Sequence, residues 1–341
     1  MKIIVDAMGG DNAPGAVVRG ALDAHKRFGL DILLVGRAAD ILKCIEECGE
    51  KTLPKGIEIK DASEVVEICD DPATAFKVKK DSSLTVGLNL LKEGQGDAFV
   101  SAGSTGALLA GATLLVKRIR GIRRAAMAPS MPTKAGHKVT ICDCGANAEC
   151  TPEFLLQFGL VGSAYAKYTL GVENPRVGLL NIGTEDSKGT ALQKAAYALL
   201  TDAGETGLIN FVGNVEARSV PLGEVDVVVC DGFSGNVMIK TIEGTAMFMG
   251  SLLKRMFKKN LGSKIGYLLC KSGVSDMMKL MDSREIGGTQ FLGIKKPVIK
   301  CHGNSDSLAF RNGIKQAMVA VESDFTEQLE KDLAAMKERA Q

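Results

Sequence analysis

The sequence predicts an α/β protein built on a mainly parallel sheet, and three observations carry that prediction. Short β-branched runs alternate with helical patterns from end to end, as repeated βαβ units require. Five of the apolar runs pass directly into loops of acids, amides, hydroxyls and glycines, which is how an open α/β sheet presents a polar site at its strands' carboxyl ends. Glycine is abundant (39 of 341 residues), and every one of those five loops carries it, where backbone must turn sharply or approach a ligand.

Taken in order, Lys2-Ile-Ile-Val5 is the first strand and feeds Asp6-Ala-Met-Gly-Gly-Asp11. A helix over 14–27, the strand Ile32–Val35, a helix over 38–48 and the strand Ile57–Ile59 follow. A helix over 82–93 precedes Ala98-Phe-Val100, which feeds Ser101-Ala-Gly-Ser-Thr-Gly106 and a helix over 105–117. Thr140-Ile-Cys142 feeds Asp143-Cys-Gly-Ala-Asn147. Thr151-Pro152-Glu153 then opens a helix over 152–169, with Thr as N-cap and Pro in the first turn. Val177-Gly-Leu-Leu180 runs into Asn181-Ile-Gly-Thr184-Glu-Asp-Ser-Lys188-Gly189 and a helix over 188–203. The strand Ile209–Val212 comes next, and Asp226-Val-Val-Val-Cys230 feeds Asp231-Gly-Phe-Ser-Gly235-Asn236. The stretch 244–282 breaks the rhythm with two helical segments around Gly262 and Gly273. The sheet resumes at Val298-Ile-Lys300, and 305–340 reads as a long helix interrupted near Asp324. The five polar loops are expected to share one cleft.

No repeat, low-complexity tract or flexible linker divides the chain, so 1–341 reads as a single domain with 244–282 as a helical insertion. The formal charge of +2 gives no overall argument for nucleic acid. The nine cysteines form no CxxC pair and have no histidine at metal-ligand spacing. They read as reduced thiols of a cytoplasmic protein, and neither metal nor cofactor is expected. The opening residues predict no signal peptide, and no apolar stretch is long enough to span a bilayer. There is no Walker A sequence and no GxGxxG after a strand, so nucleotide binding lacks its usual marks.

The loops carry the chemistry. Asp231-Gly232-Phe-Ser234-Gly235-Asn236 opens a helical stretch, where successive backbone amides can hold an anion or oxyanion and Asn236 adds a side-chain donor. The plainer alternative is an ordinary βα turn with a capping Asp. Lys188, expected at a helix start, opposes the helix dipole there, a cost that a bound phosphate would offset. A solvated lysine is the alternative. Ser234 is one residue short of the GxSxG nucleophile elbow. His302 is the one histidine at a strand end among polar residues, either a base or a hydrogen-bonded structural group. Cys144 is a conceivable thiolate nucleophile, though its place after an apolar strand favours packing.

The stretch 244–282 differs in kind. Met249, Leu252, Leu253, Met256 and Phe257 recur at helical spacing, with Lys254, Arg255, Lys258 and Lys259 on the other faces. Leu261, Ile265, Tyr267, Leu268 and Leu269 continue the apolar series between Lys264 and Lys271. A basic amphipathic helix pair suits an anionic membrane surface. Packing against a second copy of the chain is the alternative, and both can hold. The lysines at 77, 79 and 80 would suit an acidic macromolecular partner, or simply form a solvated face.

The loops at 6–11, 101–107, 143–147, 181–189 and 231–236, with Gly213-Asn-Val-Glu216 and His302-Gly-Asn-Ser-Asp306, together resemble one family. These are the bacterial phosphate acyltransferases, which convert acyl-(acyl carrier protein) and inorganic phosphate into acyl phosphate for phospholipid synthesis. The motifs span nearly the whole chain in the family's order. The resemblance implies a three-layer α/β/α fold of the isocitrate dehydrogenase and phosphotransacetylase group. It also implies a homodimer attached peripherally to an anionic membrane by projecting helices, here through Met249, Leu252, Leu253, Met256, Phe257, Leu261 and Ile265. The family's catalytic lysine falls on Lys188 and its catalytic asparagine on Asn236. Substrate and phosphate contacts are expected from Asp6, Gly9, Gly10, Asp11, Gly103, Thr105, Gly106, Asn147, Thr184, Asp231, Gly232, Ser234, Gly235 and His302. The implied partners are acylated carrier protein, inorganic phosphate and a downstream glycerol-3-phosphate acyltransferase in the membrane, without nucleic acid. The chain departs from the family at Ser104, where Asn is usual, and at Cys144, where an aliphatic residue is usual.

At neutral pH much phosphate is already the dianion, so this chemistry needs no serine–histidine–acid constellation. The nearest rival is a phosphotransacetylase using short acyl-coenzyme A. A lipid-surface adaptor without activity leaves the five polar loops unexplained. A decarboxylating dehydrogenase of the same general fold would need an arginine-rich substrate site and metal-binding aspartates that the sequence does not show.

Overall fold

A computed structural model describes residues 1–280 and 282–339, and it places two sheets in the chain, each faced by helices. The chain begins with β1 (Lys2–Asp6), α1 (Gly15–Phe28), β2 (Asp31–Gly36), α2 (Ala38–Glu47) and β3 (Ile57–Asp61). Next come α3 (Ala75–Val78), α4 (Ser83–Lys92), β4 (Ala98–Ser101) and α5 (Thr105–Gly111), which continues as a π-helical turn. β5 (Ala126–Met127) is a short edge strand. The second sheet takes β6 (Ser130–Pro132), β7 (Lys138–Cys142), β8 (Arg176–Asn181), β9 (Asn210–Glu216) and β10 (Val227–Val229). Its crossovers are α6 (Pro152–Tyr168) and α7 (Ala191–Glu205). Two long helices, α8 (Gly232–Lys258) and α9 (Leu261–Leu280), then lead through α10 (Ser283–Ile286) back to the first sheet. β11 (Gly288–Leu292) and β12 (Val298–Cys301) complete that sheet, and α11 (Ser307–Glu322) and α12 (Phe325–Arg339) end the described chain.

Strand order is β3-β2-β1-β4-β12-β11-β5 in one sheet and β6-β7-β10-β8-β9 in the other. Pairing is parallel except at β5, β6 and β11. The parallel strands are apolar on both faces because both faces are covered. Ile3, Val5, Ile32 and Leu34 pack on α1 and α11, while Ile4, Leu33 and Phe99 pack on α4 and α5 from the other side. In the second sheet Val177, Leu179, Val227 and Val229 face α6 and α7, and Ile141, Val228 and Cys230 face Met238 of α8. Each sheet is thus the middle of three layers, as expected.

Register places the polar loops. Val5 pairs with Val100, and Ser101 with Lys300, so Asp6, Ser101 and Lys300 emerge side by side. Val229 pairs with Cys142 and with Leu179, which brings the loops at 143, 181 and 231 together in the same way.

Four boundaries differ from expectation. The helix expected from 188 starts at Ala191, because Thr190 and Gln193 form a capping box there, leaving Lys188 in the loop. The excursion expected from 244 belongs to a helix that starts at Gly232 and runs unbroken for 27 residues. It breaks at Asn260, whose side chain accepts from Ser263 N (2.8 Å) to start α9, so Gly262 and Gly273 both lie within that helix. The strand expected over 209–212 runs on to Glu216, absorbing the 213–216 motif. β5, β6 and β11 carry no clear pattern because they are short and antiparallel, with Pro132 ending β6 and Gly288 opening β11. The chain does break at Asp324, where φ is 48°; the last position of the helix expected over 305–340 lies outside the described residues, as does one residue of 244–282.

Candidate active site

The loops do not form one undivided cleft; they fall into two groups, one at each sheet's carboxyl edge. In the first, Asp6 is buried and accepts from Ser101 Oγ (2.6 Å) and from the amides of Met8 and Gly9 (both 3.1 Å). Burial pushes its carboxyl upward and those donors pull the other way. Asp6 therefore shapes the 6–11 loop. Gly9 is required there, because a Cβ would stand 2.5 Å from Asp6 Oδ2 and 2.7 Å from Gly103 N. Gly10, Asp11, Gly103, Ser104, Thr105 and Lys300 line a cavity of about 410 Å³. Gly106 lies just behind it, packed on Pro72.

The second group surrounds a cavity of about 820 Å³, walled by Leu180, Ile182, Phe233, Val237, Met238 and Ile242. Asn181, Gly189, Thr190, Asp231, Ser234 and Arg218 supply its polar parts. Lys188 sits at the edge of this group. Asn181 Nδ2 donates to the Lys188 carbonyl (3.2 Å), and the Lys188 side chain, 48% exposed, lies 3.7 Å from Glu185. That exposed pair is weak and leaves the ammonium available to another anion. Thr184 is exposed in the same loop.

The helix α8 separates the groups. Phe233, Val237 and Thr241 face the larger cavity. Asn236 faces elsewhere, toward Gly145, where a Cβ would stand 3.7 Å from its Oδ1. Two turns further along, Glu243 lies 3.7 Å from His302 Nε2, beside the first group. Lys188 and Asn236 form no hydrogen bond with each other among the described residues, and neither lines either of these two cavities.

The amides of 232–236 are less open than the sequence suggests. Gly232 N donates to Asn147 O (2.7 Å), Gly235 N to Asp231 O (3.0 Å) and Ser234 N to Asp231 Oδ1 (2.8 Å). Asp231 is a helix cap, and capping consumes the donors that an oxyanion would need. The Asn236 carboxamide forms no hydrogen bond among the described residues and remains a donor. Asn147 is scaffolding: its side chain donates to Ala125 O (2.8 Å) and to Asp143 Oδ2 (3.0 Å).

The possible nucleophiles are restrained. Ser234 Oγ donates to Asp231 Oδ2 (2.8 Å), so its partner is an acid and not a histidine. Cys144 is buried, and burial first, then the neighbouring Asp143 charge, pushes its thiol up to about 12. Among the described residues no group of three His, Cys, Asp or Glu side chains is placed to hold a metal ion.

Beyond Gly244 the helix pair α8–α9 projects with no buried residue in α9. The expected apolar face is divided. Leu253 and Phe257 line a groove against α9, where Phe257 and Tyr267 rings meet at 5.2 Å, and Leu252 is half-buried. Met249, Met256, Leu261 and Ile265 are exposed, and so are Met247, Phe248, Leu268 and Leu269, of which 247 and 248 escaped the sequence reading. No helix among the described residues is long and apolar enough to cross a membrane. Sequence reading also passed over Lys300 and Glu243. The signal for the first was a lysine at the carboxyl end of a strand, between Ile299 and Cys301.

Three kinds of likeness place the chain among known proteins. A family described as "Fatty acid synthesis protein" matches residues 1–328. Proteins named phosphate acyltransferase from Desulfitobacterium hafniense and Alkaliphilus oremlandii are each 46% identical over 334 and 337 residues, covering 98% of this chain and 98% of each relative. Among solved structures, a phosphotransacetylase from Streptococcus pyogenes superposes with a TM-score of 0.62 at 17% identity, covering 96% of this chain and 94% of that one. A branched-chain phosphotransacylase from Enterococcus faecalis V583 gives 0.56 at 15%, covering 94% and 100%. At such identities the structures speak for the three-layer fold alone. The sequence relatives speak for more: the chain belongs to the phosphate acyltransferase family. It is an enzyme of the acyltransferase class, and its family works in lipid synthesis.

Proposed function

We propose that this enzyme moves a long-chain fatty acyl group from the thioester of acyl carrier protein to inorganic phosphate, giving an acyl phosphate for phosphatidic acid synthesis. The restrained nucleophiles carry this reading. With Ser234 tied to Asp231 and the Cys144 thiol pushed up to about 12, the nucleophile that fits is phosphate itself. A phosphate oxygen attacks the thioester carbonyl carbon, the carbon–sulfur bond breaks, and the thiolate of the carrier's arm leaves and takes a proton from water. No covalent acyl-enzyme forms.

Lys188 would exchange its weak pair with Glu185 for the phosphate and partly neutralise it. Asn236 would donate to the developing oxyanion, a single contact typically worth about 3 kcal/mol. Positioning the two reactants together supplies several kcal/mol more, on the order of 7 when well aligned. Because the two side chains lie on different sides of α8, this requires either closure of the loop at 181–189 or a second copy of the chain. A homodimer is accordingly part of the proposal, as is one catalytic unit spanning both sheets. The cavity lined by Leu180, Phe233, Val237 and Ile242 suits the acyl chain or the apolar part of its arm.

The exposed apolar residues of α8 and α9, set among Lys254, Arg255, Lys258 and Lys264, would hold a cytoplasmic protein to an anionic membrane surface. There a reactive acyl phosphate could pass to a membrane glycerol-3-phosphate acyltransferase. The test is to trap acyl phosphate with hydroxylamine after offering palmitoyl-carrier protein or acyl-coenzyme A of several lengths. Preference for short coenzyme A thioesters would make the enzyme a phosphotransacetylase instead.

A further inference from the structure

We propose that the cavity at the carboxyl ends of β1, β4 and β12 is an oxyanion subsite whose cation is Lys300, taking a phosphate-type group. This deepens the reading above and rests on it for the identity of the group. Lys300 stands in a sheet whose neighbouring residues Ile299 and Cys301 are fully buried, and it is itself only 9% exposed. Its ammonium donates to the carbonyls of Ala102 (3.3 Å) and Cys301, which uses two of its three donors. No carboxylate lies within ion-pair distance of it among the described residues. A buried charge left in this state is costly, and a bound anion removes the cost.

Asp6 is the nearest buried acid, and it is already occupied by Ser101 and the amides of Met8 and Gly9. Asp11 and Glu67 are exposed at the rim. Burial lowers the proton affinity of Lys300, and the charge of Lys240 on α8 lowers it further, while Asp6 and Asp11 oppose both. The remaining wall combines the backbone of Gly10, Gly103 and Gly303 and the hydroxyls of Ser104 and Thr105 with the apolar side chains of Met8, Val65, Val66 and Ile68, around a volume of about 410 Å³. Gly10, at φ 102°, could not carry a side chain, since a Cβ would meet the Gly303 carbonyl at 2.9 Å. Free phosphate and the phosphodiester of the carrier's arm share the chemistry that such a site selects.

Calorimetric titration without thioester tests this. Wild type and Lys300→Met are each titrated with inorganic phosphate and with the methyl diester of phosphopantetheine, with circular dichroism as the fold control. The wild type should bind one of the two, and which one identifies the source; the variant should bind it about tenfold or more weakly. Equal binding by both proteins, or no binding of either compound to wild type, overturns the subsite. Should Lys300→Met fail to fold, Gly303→Val replaces it, because a Cβ there meets only the Asp11 carboxylate at 3.7 Å. Loss of binding in that variant supports the subsite, and retention overturns it. These titrations need no turnover, so they stand apart from the acyl-transfer assay, whose failure would strike the functional reading alone.

Discussion

Glu243 Oε1 lies 3.7 Å from His302 Nε2, and this contact ties the helix rising from the second sheet to a loop of the first. Lys240 Nζ holds the other Glu243 oxygen at 2.7 Å. Partial desolvation lowers the proton affinity of His302, whose side chain is still half exposed, and Lys240 and Lys300 lower it further against the pull of Glu243. The fold thus favours neutral imidazole. An unfolded imidazole titrates near pH 6.5, so as pH falls through about that value the unfolded chain takes the proton first, and stability declines toward the lower folded value. Above about pH 6.5 the group contributes no slope. In Glu243→Gln the His302 titration, followed by NMR, should move to lower pH. An unchanged or raised midpoint contradicts the contact.

Gly235 marks the point where α8 packs on the 143–147 loop. A Cβ there would collide with the Asp143 carbonyl oxygen and stand 2.8 Å from Cys230 Sγ, and backbone cannot yield as a flexible side chain can. Gly235→Ala should lose about 1–3 kcal/mol of stability in urea unfolding, the usual cost of overpacking. Wild-type stability would show that the loop and helix are looser than described.

Lys188→Ala and Asn236→Ala should each lower turnover more than about tenfold, up to the roughly 3 kcal/mol of one oxyanion donor. Their unfolding curves should match wild type, since Lys188 is half exposed and the Asn236 carboxamide forms no internal bond among the described residues. Near wild-type rates in folded variants would remove both from the mechanism.

Vesicle flotation with anionic lipid separates the two faces of the α8–α9 pair. Leu269, 83% exposed, should be an anchor, so Leu269→Glu should weaken binding. The same change at Leu253 acts on the groove between the helices, and should lower stability before it lowers lipid affinity. Undiminished binding by Leu269→Glu would make this face a protein contact instead.

Much of this fold is legible in the sequence. β1, β4, β7, β8 and β10 announce themselves because strands buried on both faces are continuous apolar runs, and their loops because they stop that pattern abruptly. The membership of each strand in one of two sheets was not legible, since pairing is decided by distant residues such as Val100 and Ile299. That is why five loops expected in one cleft divide into two groups. Asp231 shows the same limit at smaller scale: an acid before two glycines predicts a helix start, but not that capping consumes the amide of Ser234. Lys300 was passed over because a lysine ending a strand ordinarily reaches solvent, and only the packing around β12 makes it a buried charge.

The central claim is direct attack of phosphate on the thioester, and thiol release from palmitoyl-carrier protein measures it. In the presence of inorganic phosphate, free thiol should appear together with an equal amount of acyl phosphate. Without phosphate, thiol should stay at background, and labelled carrier protein should not exchange into the acylated pool. Exchange or thiol release in phosphate-free solution would mean that the protein itself takes the acyl group, contrary to this account.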